Sequence, residues 1–279
     1  MVVEVIPETA ISGASQGATD PPENSLCRGA VAGHHGRVDL TEDSFLALAR
    51  SSPWRWTTLH FTHRDGTGEV EAWVKRPGQL LVRNPGRPDT YESGLPYTTS
   101  SLTVSNNPDL DPPEPEHRVP QDVGPELRSD GLVAERPTGW NLDYDDPMYG
   151  NFSWVAMLDP VELSHHVVVT DLRTEELAGR TVWRGDLVAL PGYDPRCGGN
   201  CCELLYSEVG LRADFPESQE VPEAWRGRTY PESYDVALDV QTGVVVRCLP
   251  VDGDEEAPWL ENDILEVDAD LDELFAPYD

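Results

Sequence analysis

The feature that most constrains this chain is a run of strand-like segments in its second half that closes on a hairpin at Gln241-Thr242-Gly243. The run begins with His165 to Asp171 and continues with Gly179 to Trp183. It resumes after a long interruption as Tyr234 to Val240, turns, and returns as Val244 to Leu249. These segments are rich in β-branched and aromatic residues and are bounded by turn formers, which is the pattern of half-buried strands. The links are too short for parallel crossovers, so the strands must pair antiparallel. No catalytic motif elsewhere in the chain carries comparable information.

The first half supplies a helix and a second meander. Asp39-Leu40-Thr41-Glu42 predicts a helix start, with Asp39 as cap and Glu42 three residues on. Phe45, Leu46, Leu48 and Ala49 form an apolar stripe at helical spacing, and Ser51-Ser52-Pro53 ends it. Strands are expected at Trp54–Thr62, Glu69–Lys75, Gln79–Arg83 and Thr90–Glu92, with turns at Asp65–Gly68, Pro77-Gly78 and Pro85-Gly86. Asn151 to Leu163 reads as a short helix packed on the sheet. The tail predicts a final strand, Asn262–Val267, and a helical turn at Asp270–Phe275.

Two stretches read as loop-like insertions, about residues 105–146 and 194–231. The first is long for a structureless segment inside a compact domain, so part of it is expected to cover something. Residues 1–37 are polar and rich in small side chains and read as an N-terminal arm, leaving 38–279 as one domain. Gly13-Ala14-Ser15-Gln16-Gly17 matches a nucleophile-elbow pattern, but it lacks the flanking strand and helix that such an elbow needs.

Charge narrows the partners. There are 51 acidic residues against 20 basic ones, for a net charge of −31 at pH 7. Polyanions such as nucleic acid and anionic membranes would be repelled, so neither is an expected partner. The N-terminus lacks a basic region before its apolar residues, and no window approaches the length of a membrane span. A cytoplasmic protein with no membrane insertion is the expectation.

The order of parts resembles a known superfamily. It runs helix, Trp-rich strand pair, AWVKRPGQLLV, long middle, GRTVWRGDLVALPG, YDVALDVQTGVVVRCLPVDG, and a strand leading into DADLDELF. This is similar to the LolA-like lipoprotein-carrier superfamily, with its RseB/MucB regulators and LppX-type lipoproteins, in a cytoplasmic, actinobacterial-type form. The matching residues are Gly179-Arg180, the Asp239-to-Gly243 turn, and Trp73 to Leu80 with its Arg76-Pro77 pair. The resemblance covers about residues 40–92 and 160–275. It implies an α+β fold: a strongly curved antiparallel half-barrel sheet with helices plugging the concave face, and an apolar ligand held between them.

On that basis Phe45, Leu46, Leu48, Trp54, Trp56, Trp73 and Trp183 are the candidate groove lining. The same aromatics would equally serve as ordinary core. Cys197, Cys201 and Cys202 sit in a glycine-rich turn and are candidates for zinc, a disulfide, or plain thiols; the spacing is not that of a standard zinc knuckle. Asp268-Ala269-Asp270-Leu271-Asp272 imitates the start of a calcium loop but has Glu273 where glycine is needed. No metal or cofactor is expected. Functionally, the sequence points to a non-enzymatic protein binding a hydrophobic small molecule, an acyl chain or an apolar partner segment. The alternative is a regulatory domain, RseB-like, that engages a protein partner through acidic surfaces.

Overall fold

A computed structural model describes residues 39–94, 119–137, 145–195, 202–216, 219–255 and 257–278. The 1–37 arm with its Gly13–Gly17 pattern lies outside these residues, as do Cys197 and Cys201.

Helix α1 (Glu42–Ala49) forms where the apolar stripe predicts. Its cap is Thr41 rather than Asp39: Thr41 Oγ1 accepts from the Ser44 N–H, and Ser44 Oγ accepts from the Thr41 N–H. Asp39 contributes its carbonyl to Ser44 Oγ instead. The next segment departs from expectation. Pro53 starts a short 3-10 turn over Ser52–Trp54, because its fixed φ suits the first turn of a helix, and strand β1 (Thr58–Asp65) begins only afterwards.

Strands β2 (Gly68–Lys75), β3 (Gln79–Arg83) and β4 (Thr90–Ser93) complete the first meander. The first insertion is not structureless where it is described. It carries a small hairpin, β5 (Glu126–Leu127) and β6 (Val133–Glu135). That hairpin is tied to the end of α1: Arg50 Nε donates to the Val133 carbonyl, and the Val133 N–H donates to Ser51 Oγ. Helix α2 (Phe152–Leu158) follows, and then β7 (Val167–Leu177) and β8 (Arg180–Ala189), both longer than the sequence pattern indicates. The second insertion contains helix α3 (Glu208–Asp214), capped by Ser207. Strands β9 (Ser233–Asp239), β10 (Val245–Val251) and β11 (Leu260–Val267) and helix α4 (Asp272–Phe275) end the chain.

The two expected meanders are one sheet of nine strands, in the order β4-β3-β2-β1-β11-β10-β9-β8-β7. Strand β11 lies between β1 and β10 and pairs antiparallel with both. The sheet has edges at β4 and β7 and does not close, giving an α+β half-barrel with helices against its inner face. Register shifts interrupt the ladders at His60/Phe61, Thr170/Arg173 and Val245/Arg247, and such bulges bend strands.

Alternation separates two faces. On the inner face, Leu59, Phe61, Ala72, Val74, Leu80, Trp183, Leu187, Val236 and Ile264 pack with Phe45 and Leu48 of α1 and with Trp154 and Met157 of α2 in one core. On the outer face, charges run across the strands in a continuous ladder. Glu175 meets Arg184, Arg184 and Arg247 both bind Asp235, Arg247 reaches Glu261, and Glu261 meets Arg64. The forked guanidinium suits this role, since each arginine bridges carboxylates on two neighbouring strands. Helix α4 covers another part of the outer face, where Phe275 and Leu271 pack on Trp73 and Leu81.

Two polar clamps hold helices and sheet together. Arg76, at the end of β2, is fully buried and grips both carboxylate oxygens of Asp146. It also donates to the Ser52 carbonyl at 2.9 Å, and its guanidinium lies 3.3 Å from the centre of the Trp56 ring. The second clamp is the hairpin at 241–243. Asp239 accepts from the N–H and Oγ1 of Thr242 and from Arg180. Arg55 donates to the carbonyls of Val240 and Gln241. Gly243 has φ +75°, and a Cβ there would sit 2.8 Å from the Leu48 carbonyl, so only glycine lets the turn lie against α1.

Replacing Arg76 by Met is expected to cost about 3–5 kcal/mol, since it breaks the buried ion pair with Asp146 from one side. Adding Asp146→Leu should recover a large part of that loss, as read by denaturant unfolding. The ladder gives a pH prediction. Burial alone would raise the Asp235 carboxyl, but hydrogen bonds from Arg184 and Arg247 outweigh it and hold it below its ordinary value of 3.8. A carboxylate lowered in the folded state contributes stability that is complete above the unfolded value and drains away as pH falls through the folded one. Stability should therefore fall below about pH 4. Asp235→Asn should cost about 1–3 kcal/mol at pH 7 and flatten that acid limb.

Candidate functional site

A cavity of about 460 Å³ opens on the inner face, where the β1–β2 hairpin, the approach to β11 and the first turn of α2 meet. Alternation along β1 brings Phe61, His63 and Asp65 to this face, and β2 adds Val70. Asn151 caps α2 by accepting from the Ser153 N–H, which sets the helix start and turns Trp154 toward the strands. Cys248 of β10 and Leu204 of the second insertion form the back wall, joined by a hydrogen bond from Cys248 Sγ to the Leu204 carbonyl. Glu255, Ala257, Pro258 and Trp259 flank the mouth.

Polar groups in this wall are few and specifically placed. His63 is buried; its Nδ1 lies 2.8 Å from Asn262 Oδ1, and its Nε2 lies 3.5 Å from Asp65 Oδ2. Asn262 directs its amide to the Val245 carbonyl, so its oxygen is the acceptor and Nδ1 of His63 carries the proton. Burial would raise the Asp65 carboxyl, but hydrogen bonds from Thr67 Oγ1 and N–H, with His63 beside it, hold it below the ordinary range. Trp154 stands edge-on to His63 and to Tyr149 and is 2% exposed. Its indole N–H has no acceptor among the described residues.

A second polar node closes the wall from behind. Glu162 is 1% exposed and accepts from the Tyr193 hydroxyl at 2.5 Å and from the Leu204 N–H at 2.8 Å. Burial, with the Glu162 charge beside it, pushes the Tyr193 phenol well above its ordinary value, so it stays a donor. This node fixes Leu204 and hence the side of the cavity formed by the second insertion. Burial likewise raises the Cys248 thiol, which is inert packing at neutral pH.

None of the residues expected to line a groove lines this cavity. Phe45, Leu48, Trp56 and Trp183 are sealed in the core, and Leu46 packs against it. Helix α1 fills the part of the inner face that these residues would have lined. Trp54 lies in a shallow depression and anchors the first insertion by donating from Nε1 to the carbonyls of Pro120 and Val123. Trp73 faces the other way. It is one residue out of phase with Ala72 and Val74, so the period-2 pleat places it under α4, stacked on His60 at 4.5 Å. Cys202 is half-buried, and its carbonyl accepts from Ser153 Oγ. The residues that line the cavity stand singly in the sequence, without a shared motif. A His63-Arg64-Asp65 spacing that shares one strand face was the available signal.

No known family profile matches the chain, and no curated protein is similar to it. Among solved structures it is similar to MucB in complex with MucA(peri), at 10% identity and TM-score 0.32 over 84% of this chain and 59% of that one. It is also similar to the MucA/MucB complex of Pseudomonas aeruginosa, at 12% identity and TM-score 0.29 over 84% and 60% of the two chains. The chain spans about three-fifths of the length of these proteins. The strand order and register above, rather than these similarities, define its fold.

Trp154→Phe is expected to cost less than the roughly 3–5 kcal/mol of truncating a buried aromatic, because it also removes a buried donor without a partner. Phe61→Ala, whose ring lies 5.4 Å from that of Trp154, should show the full cost in the same unfolding experiment.

Proposed function

We propose that this is a non-enzymatic, cytoplasmic binding protein that holds an apolar ligand or an apolar segment of a partner in the cavity beside Trp154. The observation that supports the reading most is the cavity itself. It is concave, of ligand size, mostly apolar, and contains a few convergent polar groups, which is how small-molecule sites are built. Its walls come from β1, β2, β10, α2 and the second insertion, so they are held by both the sheet and the Glu162 node. His63 and Asp65 supply orientation.

The alternative, an acidic surface engaging a basic partner, draws on the net charge of −31. Much of the acidic tail is engaged within the chain, however: Glu261 with Arg247, Glu266 with His60, Asp268 with the Thr57 and Thr58 backbone, and Asp272 with Lys75. The cavity reading therefore takes precedence.

An uncharged solvatochromic dye such as Nile red should bind with a blue-shifted emission, and Ser153→Phe, which projects a ring into the cavity from α2, should abolish that signal while the circular dichroism spectrum is kept. Dye binding undiminished in Ser153→Phe would place the apolar site elsewhere and refute the assignment.

A further inference from the structure

We propose that the free edge of β7 docks an extended segment of a protein partner, one that carries an apolar and a basic side chain two residues apart on one strand face. This surface lies apart from the cavity, whose lining includes no residue of β7 or β8.

Of the two edge strands, β4 has 4 residues and β7 has 11. In an antiparallel ladder, directly opposed residues alternate between bonded and unbonded pairs. The Leu190 N–H donates to the His166 carbonyl at 2.8 Å, so the bonded pairs continue as Val168 with Val188 and Thr170 with Asp186. Val167 and Val169 therefore turn their N–H and C=O groups away from β8. Beyond the bulge, the Val240 N–H donates to the Thr181 carbonyl, which turns Thr181 toward β9 and leaves Val182 and Arg184 to bond Glu175 and Arg173. Thr174 and Glu176 then face the open edge, and both are exposed. Among the described residues no strand pairs there. Strand edges are commonly guarded by bulges and charges. The bulge after Thr170 and the charges from Asp171 to Glu176 guard one half of β7, and the stretch Val167–Thr170 has neither.

The side chains beside the unguarded half define the partner. Asp186 lies opposite Asp235 of the ladder and so shares the outer face, where Val188 and Leu190 follow at two-residue steps. Val168 pairs with Val188, and Val251 pairs with Ser233, two residues before Asp235. Val168, Val188, Leu190 and Val251 are four of the seven exposed large apolar side chains among the described residues, gathered at one end of one face. A clustered exposed apolar patch marks an interaction surface. Asp186 and the exposed Asp171 border it, and among the described residues neither carboxylate is in an ion pair, in contrast to Asp235. In strand addition, backbone hydrogen bonds give affinity and alternate side chains give specificity. A strand laid along Val167–Thr170 puts one side chain beside Val168 and the next on that face beside Thr170 and Asp186. The first position suits an apolar residue and the second a basic one. A second copy of this chain fits poorly, since it brings a like net charge of −31 and its own Asp171 and Asp186 to the same edge.

The test uses the full chain and calorimetric titration with the capped peptide TRTVTRT, whose valine and arginines share one strand face in either direction of pairing. One control peptide carries glutamate in place of arginine, and the other carries N-methyl groups on the two threonines that flank the valine. At low salt the parent peptide should bind about tenfold more tightly than either control, and added salt should weaken it. Val168→Lys and Asp186→Asn should each weaken binding several-fold, with thermal melting as the folding control. Nile red emission should be unchanged by saturating peptide. Equal binding of the N-methylated peptide overturns strand addition. Binding that is unchanged in both variants, or no binding at millimolar peptide, overturns the docking site. Competition with Nile red places the peptide in the cavity and overturns it as well. A concentration-dependent dimer in sedimentation equilibrium that is lost in Val168→Lys makes the occupant a second copy and overturns the basic partner.

Discussion

The structure depends on the buried contact of Arg76 with Asp146. One guanidinium at the end of β2 binds a carboxylate from the segment before α2, a carbonyl of the 3-10 turn at Ser52, and the face of Trp56. Those partners belong to the sheet, the first helical layer and the approach to the second. Ser52 extends the contact, since its hydroxyl donates to the Leu158 carbonyl at the end of α2 and accepts from Trp56 Nε1. Buried ion pairs are poor sources of net stability but costly to break, so this one fixes arrangement more than it adds energy. With α2 placed in this way, Trp154 faces β1 and the cavity has its inner wall.

The two faces of the sheet solve different problems. The inner face is apolar and filled by α1 and α2, except where the β1–β2 hairpin runs beyond them and leaves the cavity. Among the described residues the outer face has no second layer over most of its width, and there the arginine–carboxylate ladder takes the place of a core. The use of arginine for 19 of 20 basic residues fits that task, because a guanidinium can serve two carboxylates at once. The high net charge thus coexists with local pairing, since many acids are tied within the ladder.

Much of the fold was legible in the sequence, for identifiable reasons. Val70, Ala72 and Val74 against Glu69, Glu71 and Lys75 announce a half-buried strand, and the Phe45–Ala49 stripe announces the plugging helix. Local pattern misled where one residue outweighed its neighbours. Pro53 converted the expected start of a strand into a 3-10 turn, and Ser44 moved the cap of α1 to Thr41. The site was much less legible. Large aromatics were expected to mark a groove, but size alone does not tell which face a residue is on: Trp73 and Trp183 are both buried, on opposite sides of the sheet. The residues that shape the cavity, from His63 to Trp154, Cys248 and Leu204, come from five separated segments with no shared motif.

By itself the sequence determined the strands of both meanders, the helices α1, α2 and α4, the antiparallel pairing of neighbours and the tight turn at Gly243, because each follows from side-chain periodicity or local backbone preference; the small hairpin and α3 inside the insertions left no such pattern. It also determined the sign of the charge that any partner would meet. The tertiary structure alone decided that β11 enters between β1 and β10, merging two meanders into one sheet, since pairing between strands some 200 residues apart leaves no local trace. It decided as well that α1 fills the part of the inner face that its stripe was expected to line, and that an opening remains beside α2. A cavity is the space left when distant elements have packed, so it appears only once their positions are fixed.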